Sequence, residues 1–194
     1  MGLLDTFKDN MRRMVENGGR QLLRELASLS NDPKLAMNTV YEGHQREVLL
    51  NWWPKLTNED KKFLLAKVWI NNMSNAYYGY DWWLPLFEDT GYFSNVGIEK
   101  PTEEISLYRA IEPEPIYIKG MSWTTDIDIA KLVVQKKGEA NIYEAKVKPE
   151  HLLATVRCQI LNEEETAHHL FVEYIVDYSK LNLEGIKEWS EVKC

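Results

Sequence analysis

The chain has 194 residues, 44% hydrophobic and 27% charged, enough to bury a sizeable core as one domain or as a helical lobe plus a mixed lobe. A formal net charge of -7 weighs against broad nucleic-acid binding, which draws on a basic surface, and leaves only a local basic groove open. Two cysteines, Cys158 and Cys194, make no disulfide framework and point to a reducing cytoplasm, while the start Met1-Gly2-Leu3-Leu4-Asp5 and the lack of any run near ~20 apolar residues predict no signal, anchor or membrane span.

The first hundred residues read as helices. Leu3, Leu4, Phe7, Met11, Met14 and Val15 recur at helical spacing, and Asn17-Gly18-Gly19 ends the run. Leu22, Leu23, Leu26 and Leu29 form a second stripe. Asp32-Pro33 starts a third helix, on which Met37, Val40, Tyr41, His44 and Val48 share a face. Thr57-Asn58-Glu59-Asp60 resembles a capping box with Asp in place of Glu, opening a fourth helix through Phe63, Leu64, Ala66, Lys67, Val68 and Ile70.

Tyr77-Tyr78-Gly79-Tyr80-Asp81-Trp82-Trp83 is dense in rings, as is Trp52-Trp53. Such rings fill a seam between helices and sheet, or line a pocket for a flat base, and the sequence does not choose. His44 lies on an apolar face as a packed histidine would. No second histidine stands at ligand spacing, and in a strand the pair His168-His169 projects to opposite faces, so no metal is expected.

At Phe93 to Pro101 the pattern turns from helical to strand period. This places a boundary near residue 100, between a helical lobe over 1–100 and a β-rich part over 101–194, the first packed on the second. Strands are predicted at Ile105 to Ile111, Tyr117 to Thr124, Ile142 to Val147, Leu152 to Val156 and Leu170 to Asp177. A helix over 127–135 is capped by Thr125 or Asp126. One helix among five strands predicts an α+β fold with a mixed or antiparallel sheet. No Gly-rich phosphate loop is present.

Two strand faces carry a charge where a core residue belongs. Arg109 alternates with Ile105, Leu107 and Ile111, and Glu173 with Phe171 and Ile175. Charges so placed either neutralise one another as a buried pair or serve a ligand.

Leu107-Tyr108-Arg109-Ala110, then Ser122-Trp123-Thr124-Thr125-Asp126 with Ala130, then Tyr143-Glu144-Ala145-Lys146-Val147, then Val172-Glu173-Tyr174-Ile175-Val176-Asp177, occur in the order found in the Arg-Ser-Glu class of ADP-ribosyltransferases, which the C-terminal half resembles. The resemblance implies an ADP-ribosyltransferase-like β core acting on NAD as substrate without metal, with release of nicotinamide. It gives Glu173 the catalytic role, stabilising an oxocarbenium-like ribose and holding a ribose hydroxyl. Arg109 would hold the phosphates, Ser122 would orient Glu173, and Thr124 would support the ribose. The backbone of Ala110 would meet the nicotinamide amide, and Trp123 is expected in the same cofactor pocket.

Two positions depart from the class. Ala110 stands where Gly is frequent. Phe171 stands where arginine-modifying members carry a second glutamate, so the resemblance implies a mono-ADP-ribosyltransferase with a macromolecular, protein acceptor not modified on arginine. The loop from Asn162 to His168 would face the acceptor, and its Glu163, Glu164 and Glu165 are alternative carboxylates there or solvated turn residues. An inactive NAD- or ADP-ribose-binding module, an NAD glycohydrolase and a nucleic-acid-modifying member are the alternatives.

Overall fold

Asp32 starts the first described helix as its residue type predicts: its Oδ1 accepts the Lys34 N–H at 2.8 Å, and Pro33 fills the first helical position. The computed structural model describes residues 32–39, 42–71, 79–111, 119–137, 140–161, 168–182 and 185–189. The helices expected before residue 30 lie outside these. Over the span where a helix was expected from Pro33 through Val48, the structure describes α1 (Pro33–Thr39) and α2 (Glu42–Trp52), with a 3-10 turn at Trp53–Lys55 after the second.

The capping box forms. Thr57 Oγ1 accepts the Asp60 N–H at 3.2 Å and donates to Asp60 Oδ2 at 2.7 Å, opening α3 (Asn58–Asn71). The Thr57 hydroxyl, with Lys34 3.2 Å away, holds the Asp60 carboxyl below its usual range. Leu64, Leu65, Val68 and Trp69 of α3 are buried, with Met37, Val48 and Leu49 of α1 and α2. Gln45 is buried among them and stays satisfied by donating to the Met37 carbonyl at 3.2 Å and accepting from Asn71 at 3.1 Å.

These helices belong to the first of two compact units, Met1–Asn72 and Met73–Cys194. The division precedes the change of period near residue 100 because the next helix, α4 (Tyr80–Thr90), packs with the strands: Phe87 stacks on Phe93 with ring centroids 6.1 Å apart. Gly91, at φ 63, ends α4 and turns the chain into β1 (Phe93–Ser94).

Six more strands follow: β2 (Ile105–Ile111), β3 (Ser122–Trp123), β4 (Asn141–Val147), β5 (Leu152–Leu161), β6 (His168–Val176) and β7 (Ile186–Glu188). Tyr117 and Ile118, expected to begin the strand that runs into β3, lie outside the described residues. A four-stranded sheet runs β1-β5-β6-β3, parallel only at β1 with β5, and a three-stranded antiparallel sheet runs β2-β4-β7. The expected mixed, largely antiparallel α+β character is present. β5 continues past its expected end at Val156 because β6 pairs with it as far as Leu161 opposite His168.

Between the sheets lies a core of Leu107, Trp123, Ala145, Val147, Leu152, Tyr174, Val176 and Leu181. The sheets join where Tyr108 and Thr124 exchange backbone bonds of 2.7 and 2.9 Å. Helix α5 (Ile127–Lys137) packs on β2 and β4, its start capped by Asp126 Oδ1, which accepts the Asp128 N–H at 2.9 Å. After β1 the Asn95 N–H donates to the Thr155 carbonyl at 3.2 Å, and Asn95 Oδ1 accepts the Arg157 N–H at 2.8 Å. Among the described residues no helix is long and apolar enough to cross a membrane.

Candidate functional site

The alternation in β2 sends Leu107 and Ile111 into the core, 0% and 4% exposed, and Arg109 lies half-buried on the same face. Its guanidinium reaches toward the start of β3. Nη1 donates to the Ser122 carbonyl at 2.7 Å and Nη2 to the Tyr80 hydroxyl at 2.8 Å, and Cζ lies 5.9 Å from the centre of the Tyr80 ring. A Cβ at Gly120 would stand 2.4 Å from Arg109 Cζ, so the lack of a side chain there lets the guanidinium rest against backbone. Arg109 Nε is buried with no acceptor among the described residues. The side chain thus keeps donors to offer beyond the two it has committed.

Glu173 belongs to the other sheet. Ser122 stands opposite Ile175, so Ser122, Ile175, Glu173 and Phe171 share one face of the four-stranded sheet and Trp123 the reverse. Across β5, Val156 is opposite Glu173 and Cys158 opposite Phe171. Phe93 pairs with Ala154 and carries the Phe87 ring, so α4 covers this face. Glu173 is only 6% exposed, and Cys158 Sγ donates to its Oε2 at 2.8 Å. Burial first, and then the charge and hydrogen bond of Glu173, push the Cys158 thiol far above its ordinary range. The proton therefore stays on sulfur, and Cys158 acts as a donor rather than a nucleophile.

The structure brings Arg109 and Ser122 together through the Ser122 carbonyl. It sets Ser122 diagonally from Glu173 across β3 and β6. Among the described residues no ion pair joins Arg109 to Glu173 and no hydrogen bond joins Ser122 to Glu173. Trp123, expected in the cofactor pocket, is 2% exposed, packs between the sheets and donates Nε1 to the Gly120 carbonyl at 2.6 Å.

Thr124 is buried on the Ser122 side of the strand, where its Oγ1 accepts the Asp126 N–H at 3.1 Å and shapes the entry to α5. Ala110 lies beside Arg109, opposite Ile142. Phe171 is half-buried near Glu173, and Glu165 with the rest of residues 162–167 lies outside the described residues. Asp177, at the end of the last motif, is a capping residue whose Oδ1 accepts the Ser179 N–H at 3.0 Å.

Tyr80 and Cys158 were not singled out as site residues by the sequence. Tyr80 had a signal in the aromatic run, and it extends into a chain of contacts: its ring lies 5.4 Å from that of Tyr178, whose hydroxyl donates to Asp81. Cys158 had none. A cavity of about 260 Å³, lined by residues including Glu104, Lys146, Lys148, His151 and Lys180, lies toward the other end of β4 from Tyr143, the partner of Arg109. Among the described residues no three His, Cys, Asp or Glu side chains gather as metal ligands would.

Chemically, the arrangement offers an anchored guanidinium for anionic oxygens and a buried carboxylate, whose charge acts strongly on a developing cation where water is scarce. No protein-family model matches the chain, and neither a curated protein nor a solved structure is significantly similar to it.

Proposed function

We propose that the chain is a mono-ADP-ribosyltransferase that cleaves NAD at the nicotinamide–ribose bond and passes ADP-ribose to a protein acceptor. The observation that carries this reading is the separate housing of the two charges. Arg109 is held by Ser122 and Tyr80, Glu173 is held by Cys158, and neither neutralises the other. A buried ion pair would have accounted for both charges without a ligand. Among the described residues Arg109 and Glu173 form no such pair with each other, which supports the ligand reading, as does the Arg109 Nε–H, which has no acceptor among those residues.

In this reading Arg109 binds the diphosphate with the N–H groups it has left. Glu173 faces the ribose and stabilises positive charge as the bond to nicotinamide breaks; nicotinamide leaves with the bonding pair, and the acceptor adds at the same carbon and loses a proton. Phe171, on the face of Glu173, bears no charge to position a guanidinium, which favours an acceptor other than arginine. The same residue favours a second reading, a glycohydrolase with water as acceptor.

The test is incubation of the purified chain with NAD labelled in its ADP-ribose part, with and without cell lysate. Nicotinamide release together with labelled protein is expected, with adducts away from arginine by mass spectrometry. Release without labelled protein identifies the glycohydrolase. Binding without release identifies an inactive module, and labelled nucleic acid the remaining alternative. Adducts mainly on arginine would show that Phe171 does not set the acceptor. No calorimetric heat with millimolar NAD would overturn the proposal.

A further inference from the structure

We infer that Cys158 is a positioning residue for Glu173, its thiol proton holding the carboxylate in the place where the resemblance would have the Ser122 hydroxyl hold it. The inference rests on the reading of Glu173 as the catalytic carboxylate. The geometry behind it is a diagonal pair. Val156 stands opposite Glu173, and Cys158 is two residues farther along β5 on the same face. Diagonal neighbours across a ladder are ~7–8 Å apart at the backbone, a gap that a long glutamate and a short cysteine close together. They do so here at 2.8 Å between Sγ and Oε2.

Ser122 is not in this role. It is opposite Ile175, and its bond to the site runs through its carbonyl to Arg109. Glu173 therefore takes its orientation partly from β5, the strand on its other side. Burial and the neighbouring carboxylate push the Cys158 thiol upward, which favours the protonated sulfur as the donor. A carboxylate that is 6% exposed depends on such donors more than one in water does, since the missing bond is not replaced by solvent. The side-chain oxygen of a serine at 158 would lie slightly farther from Glu173 but keep an O–H donor at this position, whereas an alanine would remove this one donor.

Two measurements on the full chain decide the matter. In nicotinamide release, Cys158→Ala is expected to lower kcat about tenfold with KM nearly unchanged, and Cys158→Ser to recover most of that loss. A role in packing alone would lower the thermal midpoint of both variants without this split, and equal kcat for the two would overturn the inference. The second measurement needs no turnover. The infrared S–H band that disappears in Cys158→Ser is expected at lower frequency than that of a free thiol, and Glu173→Gln, which presents an uncharged acceptor, is expected to raise it. If the wild-type chain releases no nicotinamide, the proposed activity fails while this band still decides the hydrogen bond. A band unmoved by Glu173→Gln overturns the positioning role.

Discussion

The surroundings of Arg109 and Glu173 differ in kind. Arg109 sits on the face of its sheet turned to the shared core, and it escapes that core by lying on Gly120 and bonding to oxygens of Ser122 and Tyr80. Those partners come from the start of β3 and the start of α4. Glu173 sits on the reverse face of the other sheet, beneath α4, and its thiol donor comes from within the same β ladder. The cation is thus held by two separate elements, the carboxylate from within one β ladder. This is the division expected of a group that meets a ligand already charged and a group that acts on charge still forming.

The sharpest way to break this contrast is to remove each charge in turn. Glu173→Gln is expected to lower NAD turnover about 10²–10³-fold, the weight of one group aimed at transition-state charge, while leaving the calorimetric affinity close to that of the wild type. Arg109→Ala is expected to weaken NAD binding by about 10- to 100-fold, the weight of one charge-assisted contact. Equal losses of affinity in both variants would abolish the distinction.

A subtler change moves the guanidinium without deleting it. The methyl of Gly120→Ala would press on Arg109 at 2.4 Å from Cζ, and the end of a flexible side chain yields more easily than backbone does. The variant is expected to stay folded, with a loss of NAD affinity of about threefold to tenfold and no change in the infrared band of Cys158. A shifted thiol band would show that the two sites are coupled.

The smallest effect concerns the support behind Tyr80. The hydrogen bond to Asp81, with some burial, pushes the Tyr178 phenol from 10.0 up to about 12. Its folded pKa is raised, so this bond stabilises the fold below pH 10 and is lost as pH climbs toward 12. The contribution is small, because Asp81 is exposed and solvent screens the pair. Thermal midpoints of the wild type are expected to fall slightly more between pH 10 and 12 than those of Tyr178→Phe. Parallel profiles would remove the bond from the support of Arg109.

The period-2 pattern carried much of this. It placed Arg109 and Glu173 on apolar faces, and the same parity sends Trp123 to the face opposite Ser122. Asp126 and Thr57 were legible as caps because their bonds are local. Cys158 was not, since Arg157-Cys158-Gln159 has no strand signal of its own and is extended only because β6 pairs with it. Tyr80 was legible as one ring among many but not as the partner of Arg109, which depends on where α4 packs. The division into compact units after Asn72 was not legible for the same reason, since it depends on α4 packing with the strands.

The loop after β1 has a consequence for how the molecule meets other molecules. Among the described residues β1 pairs with β5 at Ala154 and Thr155 alone, and an uncovered strand edge is a template for addition of a foreign strand. Asn95 narrows that opening. One backbone bond to Thr155 and one amide oxygen on the Arg157 N–H continue the ladder for two more steps, with a side chain standing in for a strand. An intruding strand must first expel this asparagine, and it would then pull on the segment of β5 that carries Cys158. Protection against self-association and the setting of the carboxylate are therefore vested in the same few residues of one strand.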